Sequence, residues 1–152
     1  MSLASVRAYF ATLGMEDRVV TLPASTATVA EAAAAHGVEP GQICKTLAFK
    51  VGDEPLLILV AGDQKIDNAK YKAQFGAKAK MLTPEETLEY TSHPIGGVCP
   101  FGLPRPLPAY LDLSLRAYPE VIPAAGDRHS AIRLTVEELE AHSQGTWIDV
   151  CK

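Results

Sequence analysis

A chain of 152 residues with 47% hydrophobic and 21% charged residues has the composition of a folded globular protein, which excludes intrinsic disorder. The length predicts one domain over residues 1–152. The formal charge of −4 excludes a nucleic-acid condenser that is basic over its whole surface, but it leaves room for a local basic patch. No apolar run approaches the roughly 20 residues of a membrane helix and the N-terminus lacks a signal-peptide pattern, so we expect a cytoplasmic protein without membrane contact.

Five helices are predicted from apolar spacing and capping signals. The first helix covers residues 2–13. Thr-x-x-Glu capping boxes at residues 28–31, 83–86 and 135–138 each begin a further helix, and the fifth helix covers residues 67–75. Strands are predicted over residues 18–22, 43–51, 55–61, 77–82, 95–98, 110–113, 121–125, 131–134 and 146–150. This irregular alternation predicts an α+β fold, with a mixed, curved, barrel-like sheet of about seven or eight short strands and four or five flanking helices.

The cysteines and histidines are few and scattered. Three cysteines and four histidines occur without CxxC or HxxxH spacing. An odd number of unpaired cysteines predicts no disulfide framework, and the spacing is not that of a zinc site. The sequence therefore predicts neither a metal nor another cofactor.

Lys45 lies on the apolar face of a predicted strand. A period of two places Ile43, Lys45, Leu47 and Phe49 on one face of the segment 43–51. Burying an ammonium group costs several kcal/mol unless it is paired or lines a wet pocket. Two interpretations follow: a lysine that reaches water or a core carboxylate, or a cation on a pocket floor that binds an anionic or carbonyl ligand.

A second candidate site is the loop Gly96-Gly97-Val98-Cys99-Pro100-Phe101-Gly102. Adjacent glycines allow a close backbone approach, and the bend that follows can direct successive N–H groups at one carbonyl oxygen or phosphate. An ordinary structural turn explains the pattern equally well. A catalytic Cys99 needs a histidine or a helix N-terminus to activate it, so a small apolar residue that lines the pocket is the better interpretation.

Lysines cluster in one segment. Residues 65–80 contain five lysines and one aspartate, a local charge of +4 that leaves −8 on the rest of the chain. The lysines are Lys65, Lys70, Lys72, Lys78 and Lys80. They form either a solvated surface or a face that binds nucleic-acid phosphate without reading the base sequence.

Three segments resemble the YbaK/EbsC family of aminoacyl-tRNA deacylases and prolyl-tRNA synthetase-associated editing domains. They are ICKTLAFKV around Lys45, GGVCPFGL at residues 96–103 and AAGDRHSAIRLTVEEL at residues 124–139, and their order and spacing match over nearly the whole chain. The resemblance implies a free-standing domain that hydrolyses the ester of a mischarged tRNA, namely tRNA(Pro) carrying a small wrong amino acid such as alanine, cysteine or serine. It also implies a prolyl-tRNA synthetase as a further partner of a monomer or homodimer.

The resemblance implies roles for individual residues. Lys45 corresponds to the family's essential lysine, and Gly97 belongs to the loop that shapes the aminoacyl pocket. Both are predicted to be catalytic. The residues predicted to bind substrate are Ile43, Thr46, Leu47, Gly96, Val98, Cys99, Pro100, Phe101, Gly102, Gly126 and Ser130. The five lysines of residues 65–80 are predicted to bind tRNA. The chain departs from the family's pattern at Ala131, where other members carry Asp or His, and at Leu22, where certain relatives carry tyrosine.

The predicted mechanism needs no protein nucleophile, because an aminoacyl ester is already activated. Amides of residues 97–101 would face the ester carbonyl, while Lys45 would either stabilise the oxyanion or bind the phosphate of the terminal adenosine. A backbone carbonyl or the ribose hydroxyl would orient water, and a cysteinyl substrate could use its own thiol. Two other functions stay open: a module that binds tRNA or a synthetase without hydrolysis, and a domain that binds a free amino acid or nucleotide.

Overall fold

The computed structural model describes residues 2–152, which form five α-helices and eight β-strands. The helices are α1 (Ser2–Ala11), α2 (Val29–His36), α3 (Asn68–Phe75), α4 (Pro84–Thr91) and α5 (Val136–Ser143). The strands are β1 (Val19–Thr21), β2 (Ile43–Val51), β3 (Glu54–Ala61), β4 (Ala109–Asp112), β5 (Glu120–Pro123), β6 (Ser130–Ile132), β7 (Leu134–Thr135) and β8 (Thr146–Ile148). The predicted α+β class is confirmed. None of the helices within residues 2–152 is long and apolar enough to cross a membrane.

Six strands form one mixed sheet in the order β7-β5-β2-β3-β4-β8, and β1 pairs with β6 in a second, two-stranded sheet. The hairpin of β2 and β3 is antiparallel, whereas β2 with β5, β3 with β4 and β4 with β8 are parallel pairs. A bridge between Ala124 and Ala131 joins the two sheets, and the whole surface is curved. The centre of this surface is β2, which carries Lys45.

The core lies on both faces of the β2–β3 hairpin. On one face, Cys44 and Ala48 belong to a buried cluster that includes Phe10 of α1. On the other face, Phe49 and Val60 pack in a cluster with Tyr71 of α3. Since helices cover both faces, any site that β2 contributes to must open at the edge of the strand.

The three predicted capping boxes are confirmed. Thr28, Thr83 and Thr135 each accept a hydrogen bond from the backbone N–H three residues later, and the glutamate there bonds the N-cap backbone in return. Each box satisfies two backbone donors that the helix itself leaves unpaired. Local sequence therefore determines where α2, α4 and α5 begin.

Two predicted strands do not form. Residues 77–82 make only a bridge between Met81 and Phe49 plus two flanking backbone hydrogen bonds, so they follow the edge of β2 briefly and then begin α4. Residues 95–98 fold as a turn, because the Gly97 N–H donates to the Pro94 carbonyl at 2.9 Å and Gly96 has a φ of +94°. The predicted strand 131–134 is divided into β6 and β7, which pair with different partners.

Arg18 and Glu138 form a two-pronged ion pair that should make stability depend on pH. The guanidinium donates to both carboxylate oxygens at 2.7 and 2.9 Å. This bonding, together with a hydrogen bond from the Thr135 N–H, lowers the pKa of Glu138 from its ordinary 4.5 to about 2. A lowered folded-state pKa stabilises the protein above pH 4.5, and that contribution is lost as the pH falls toward 2. We expect urea unfolding of Arg18→Met to show a smaller loss of stability between pH 5 and pH 3 than the wild type shows.

A matched control is Lys70→Met, which removes an ion pair between two exposed side chains, Lys70 and Asp149. Exposed pairs contribute little, so this variant should keep the wild-type pH dependence. Equal losses in wild type and Arg18→Met between pH 5 and pH 3 would contradict the assignment.

Candidate functional site

The outer edge of β2 is open in its middle. One edge pairs with β3 along the whole strand, while the other pairs with β5 only at Ile43 and Cys44 and contacts Met81 only at Phe49. Within residues 2–152 no strand pairs with that edge between Cys44 and Phe49. The Gly62 N–H donates to the Ile43 carbonyl, so alternate residues from Ile43 onward direct their backbone polar groups toward β3. The N–H and C=O of Thr46 therefore point to the open edge.

A pocket of about 230 Å³ lies at this edge. Its apolar wall includes Val29, Ala32, Ile43, Val98, Ile122 and Ala131. Its polar residues include Thr26, Thr28, His36, Lys45, Thr46 and Thr87. Met81 and Ile95, which are about half exposed, belong to the same lining and mark the opening. The arrangement suits a small, largely apolar group with a few hydrogen-bonding atoms.

Lys45 is half-buried where β2 passes the pocket. It lies opposite Val60 in the hairpin, and its ammonium donates to the Gln64 carbonyl at 2.7 Å. Within residues 2–152 no carboxylate forms an ion pair with this ammonium. One carbonyl occupies one of three N–H donors, so the other two are available to an anion or a substrate carbonyl.

The glycine loop is held by its own backbone bonds. The Gly97 N–H is taken by the Pro94 carbonyl, and the Gly97 carbonyl accepts from the Gly126 N–H at 3.0 Å. A Cβ on Gly97 would lie 2.6 Å from the Asp127 backbone, so only glycine allows this approach. The Gly97 amide is therefore not available to an ester carbonyl, unlike in the mechanism predicted from the sequence.

The residues predicted to bind substrate, together with the predicted catalytic Gly97, fall into two groups. Those that line the pocket together with Lys45 are Ile43, Thr46, Leu47, Gly96 and Val98. Those outside its lining are Gly97, Cys99, Pro100, Phe101, Gly102, Gly126 and Ser130. Residues of the second group pack against other parts of the protein. The ring of Phe101, for example, stacks on that of Tyr9 in α1 with the centroids 5.9 Å apart.

Cys99 has a histidine neighbour but is not an activated nucleophile. Its Sγ lies 3.6 Å from His93 Nε2, and both residues are fully buried. His93 Nε2 lies 2.7 Å from the Phe101 carbonyl, which can only accept, so this nitrogen carries the proton and donates it. Burial also raises the pKa of the Cys99 thiol to about 12. The thiol therefore stays protonated at neutral pH, as expected of a packed small residue.

Sequence reasoning missed several polar residues of the pocket. Thr87 and His36 lie on helices, far from the recognised motifs, and both have a buried polar atom without a hydrogen-bond partner within residues 2–152. Burial, together with nearby Arg133, lowers the pKa of His36, so its ring is neutral at pH 7. The signal available in the sequence was weak: Thr87 is a threonine at a helix position that buries its side chain.

The lysine-rich segment is a surface feature. All five lysines of residues 65–80 are exposed, and only Lys70 forms an ion pair among the described residues, with Asp149 at 3.1 Å. The segment runs from the end of β3 through α3 to Met81 at the pocket opening. Exposed cations near an opening can bind a polyanion.

No group of three or more His, Cys, Asp or Glu side chains in residues 2–152 is placed to hold a metal ion.

Known proteins match this chain in sequence and in fold. A family model described as an aminoacyl-tRNA editing domain matches residues 23–141, which include β2, α4 and the glycine loop. The "Uncharacterized protein YwhH" of Bacillus subtilis is 51% identical over 100% of this chain and 98% of its own length. The "Putative Cys-tRNA(Pro)/Cys-tRNA(Cys) deacylase EbsC" of Enterococcus faecalis is 31% identical over 75% of this chain and 71% of its own.

A solved structure matches the fold closely. The crystal structure of "a putative trans-editing enzyme for prolyl tRNA synthetase" superposes with a TM-score of 0.91 at 41% identity, covering 99% of this chain and 97% of that one. The match therefore extends over the strands and loops that build the pocket.

Proposed function

Because the chain belongs to the aminoacyl-tRNA editing domain family, we propose that it is a free-standing deacylase that hydrolyses the ester of a mischarged tRNA. The substrate is tRNA(Pro) carrying a small wrong amino acid such as alanine, serine or cysteine. The names of two relatives, a Cys-tRNA(Pro) deacylase and a trans-editing enzyme for prolyl tRNA synthetase, support this substrate class.

The pocket beside the open edge of β2 is the observation that carries the proposal. Its volume of about 230 Å³ lies below the 300–1,000 Å³ of typical ligand sites, so it suits a small ligand such as an aminoacyl group. Its apolar wall favours a small side chain, and the neighbouring donors of Lys45 and Thr46 suit the ester carbonyl.

Hydrolysis requires water to add to the ester carbonyl carbon, after which the bond to the ribose oxygen breaks and that oxygen takes a proton. The carbonyl oxygen becomes negative in the transition state, and N–H donors aimed at it lower the barrier. The Gly97 amide is already bonded to the Pro94 carbonyl. The backbone N–H of Thr46, which points to the open edge of β2, therefore acts with the Lys45 ammonium as a donor to the carbonyl oxygen. Alternatively, Lys45 binds the phosphate of the terminal adenosine. The ribose hydroxyl or a backbone carbonyl orients the water.

A panel of mischarged tRNAs tests the proposal. tRNA(Pro) charged with alanine, serine, cysteine or leucine is incubated with the protein, and release of the amino acid is followed. The three small esters should be cleaved faster than the leucyl ester, because the three additional carbons of leucine must fit against an apolar wall matched to a small side chain. Leucine released as quickly as alanine would contradict the assignment of this pocket, and cysteine released alone would favour attack by the substrate's thiol.

The exposed lysines of residues 65–80 give a separate prediction. In the double variant Lys72→Glu/Lys78→Glu, KM for mischarged tRNA should rise and its dependence on salt should flatten, because fewer phosphate contacts release fewer counterions. The measurement is KM over a salt series, with Arg105→Glu, an exposed change outside the segment, as the control. An unchanged KM and salt slope in the double variant would remove this segment from the tRNA interface.

A further inference from the structure

The opening of the pocket has an exposed apolar rim. Met81 and Ile95 both belong to the pocket lining, and they are 55% and 49% exposed. The other large apolar side chains that are exposed within residues 2–152 lie outside this lining: Leu13, Val20, Leu88 and Leu113. Met81 and Ile95 therefore present accessible apolar surface to a ligand whose end protrudes from the pocket.

Contacts with neighbouring segments hold both rim residues in place. Met81 forms a β-bridge with Phe49 of β2. The Ile95 carbonyl accepts a hydrogen bond from the Arg128 side chain at 3.0 Å, which fixes the turn that carries Ile95. Because both segments are fixed before a ligand arrives, the rim loses little conformational freedom when it binds one.

Positive charges lie next to the rim. Lys78 and Lys80, which come just before Met81, are exposed, and neither forms an ion pair with the side chains of residues 2–152. Arg128 is also exposed and places its guanidinium against the Ile95 carbonyl. The chemistry of the protein thus changes outward from an apolar pocket wall to an apolar rim and then to cations.

The end of an aminoacyl-tRNA has a matching order of groups. Its ester joins the amino acid to the ribose of the terminal adenosine, which carries a flat base and is linked through a phosphate to the next nucleotide. When the aminoacyl group occupies the pocket of about 230 Å³, the adenosine lies at the opening. Every base has an apolar π-face that packs well on sulfur or alkyl groups, whereas the ribose hydroxyls gain nothing from such a contact.

We propose that Met81 and Ile95 form a binding site for the base of the terminal adenosine at the opening of the pocket. This inference rests on the proposed function and adds a site for the nucleoside half of its substrate. The two side chains contact the base and not the reacting ester. Contacts of this kind are equally strong in the ground state and in the transition state, so their loss should raise KM and leave kcat unchanged.

The test combines two variants, Met81→Ser and Ile95→Ser, with two forms of alanyl-tRNA(Pro). One form ends in adenosine and the other in a ribose without a base. With adenosine, each variant should raise KM about three- to tenfold, the effect of losing one contact between an apolar side chain and a ring. Without the base, KM of the wild type should rise by a similar factor, and neither variant should raise it further.

Leu88→Ser is the matched control, because Leu88 is 52% exposed on α4 and lies outside the pocket lining. It should keep the wild-type KM with both substrates. Exposed positions tolerate substitution, so all three variants should fold. An unchanged KM in either rim variant, an equal rise with and without the base, or a matching rise in Leu88→Ser would overturn the inference while leaving the proposed function standing. A wild type that does not cleave the alanyl ester would overturn both.

Discussion

Replacing Lys45 by methionine should lower kcat/KM for deacylation of alanyl-tRNA(Pro) by about 10²–10³-fold, the effect of removing one donor to an oxyanion. Methionine keeps most of the apolar stem beside Leu47 and removes only the ammonium of this half-buried residue, which has no carboxylate partner within residues 2–152. The two roles proposed for Lys45 give different kinetics. Loss of an oxyanion donor lowers kcat, whereas loss of a contact with the adenosine phosphate raises KM.

The matched control for this variant is Lys50→Met on the same strand. Lys50 pairs with Glu86 at 2.7 Å and lies outside the pocket lining, so its loss should leave activity near that of the wild type. Near wild-type activity in Lys45→Met, or an equal loss in Lys50→Met, would contradict a direct role for Lys45.

Gly102→Ala should lower the free energy of unfolding by about 2–5 kcal/mol. Gly102 has a φ of +64°, and a Cβ there would lie 2.7 Å from the Ser5 backbone of α1. The left-handed conformation costs an alanine about 1–2 kcal/mol, and displacing a helix backbone from a packed contact adds a further 1–3 kcal/mol. Urea unfolding measures the loss.

Gly76→Ala separates the two contributions. Gly76 has a similar φ of +74°, but no atom of the described part of the chain, other than its own neighbours, lies within 4 Å of the position its Cβ would take. This variant should lose only the conformational contribution, about 1 kcal/mol. An equal loss of unfolding free energy in Gly102→Ala and Gly76→Ala would contradict the claim that close packing on α1 holds the glycine loop in place.

Local signals in the sequence predicted much of the fold. Each capping box lies where it was expected, and the bounds of β2 agree with the prediction because alternating apolar residues and the Gly52 turn determine them. The resemblance to the editing family is confirmed by the family match over residues 23–141. The roles of individual site residues, Lys45 included, stay predictions.

Features that depend on tertiary contacts could not be predicted. The segments 77–82 and 95–98 have strand-like composition, yet the first leaves β2 to begin α4 and the second closes a glycine turn. The sequence also cannot show that the Gly97 N–H is taken by the Pro94 carbonyl. Nor can it show that the Thr91 hydroxyl bonds the carbonyl one turn earlier on α4 while the Thr87 hydroxyl has no partner among residues 2–152. Such differences arise only when helices and loops pack around the open edge of β2.

The most direct test of the central claim is a single-turnover measurement with the protein in excess over tRNA(Pro) charged with labelled alanine, serine or proline. The account predicts that alanine and serine are released much faster than in buffer alone, while the prolyl ester decays at its spontaneous rate. Alanyl and seryl esters that decay at the buffer rate, although the protein binds the tRNA, would contradict hydrolysis and indicate a binding module instead.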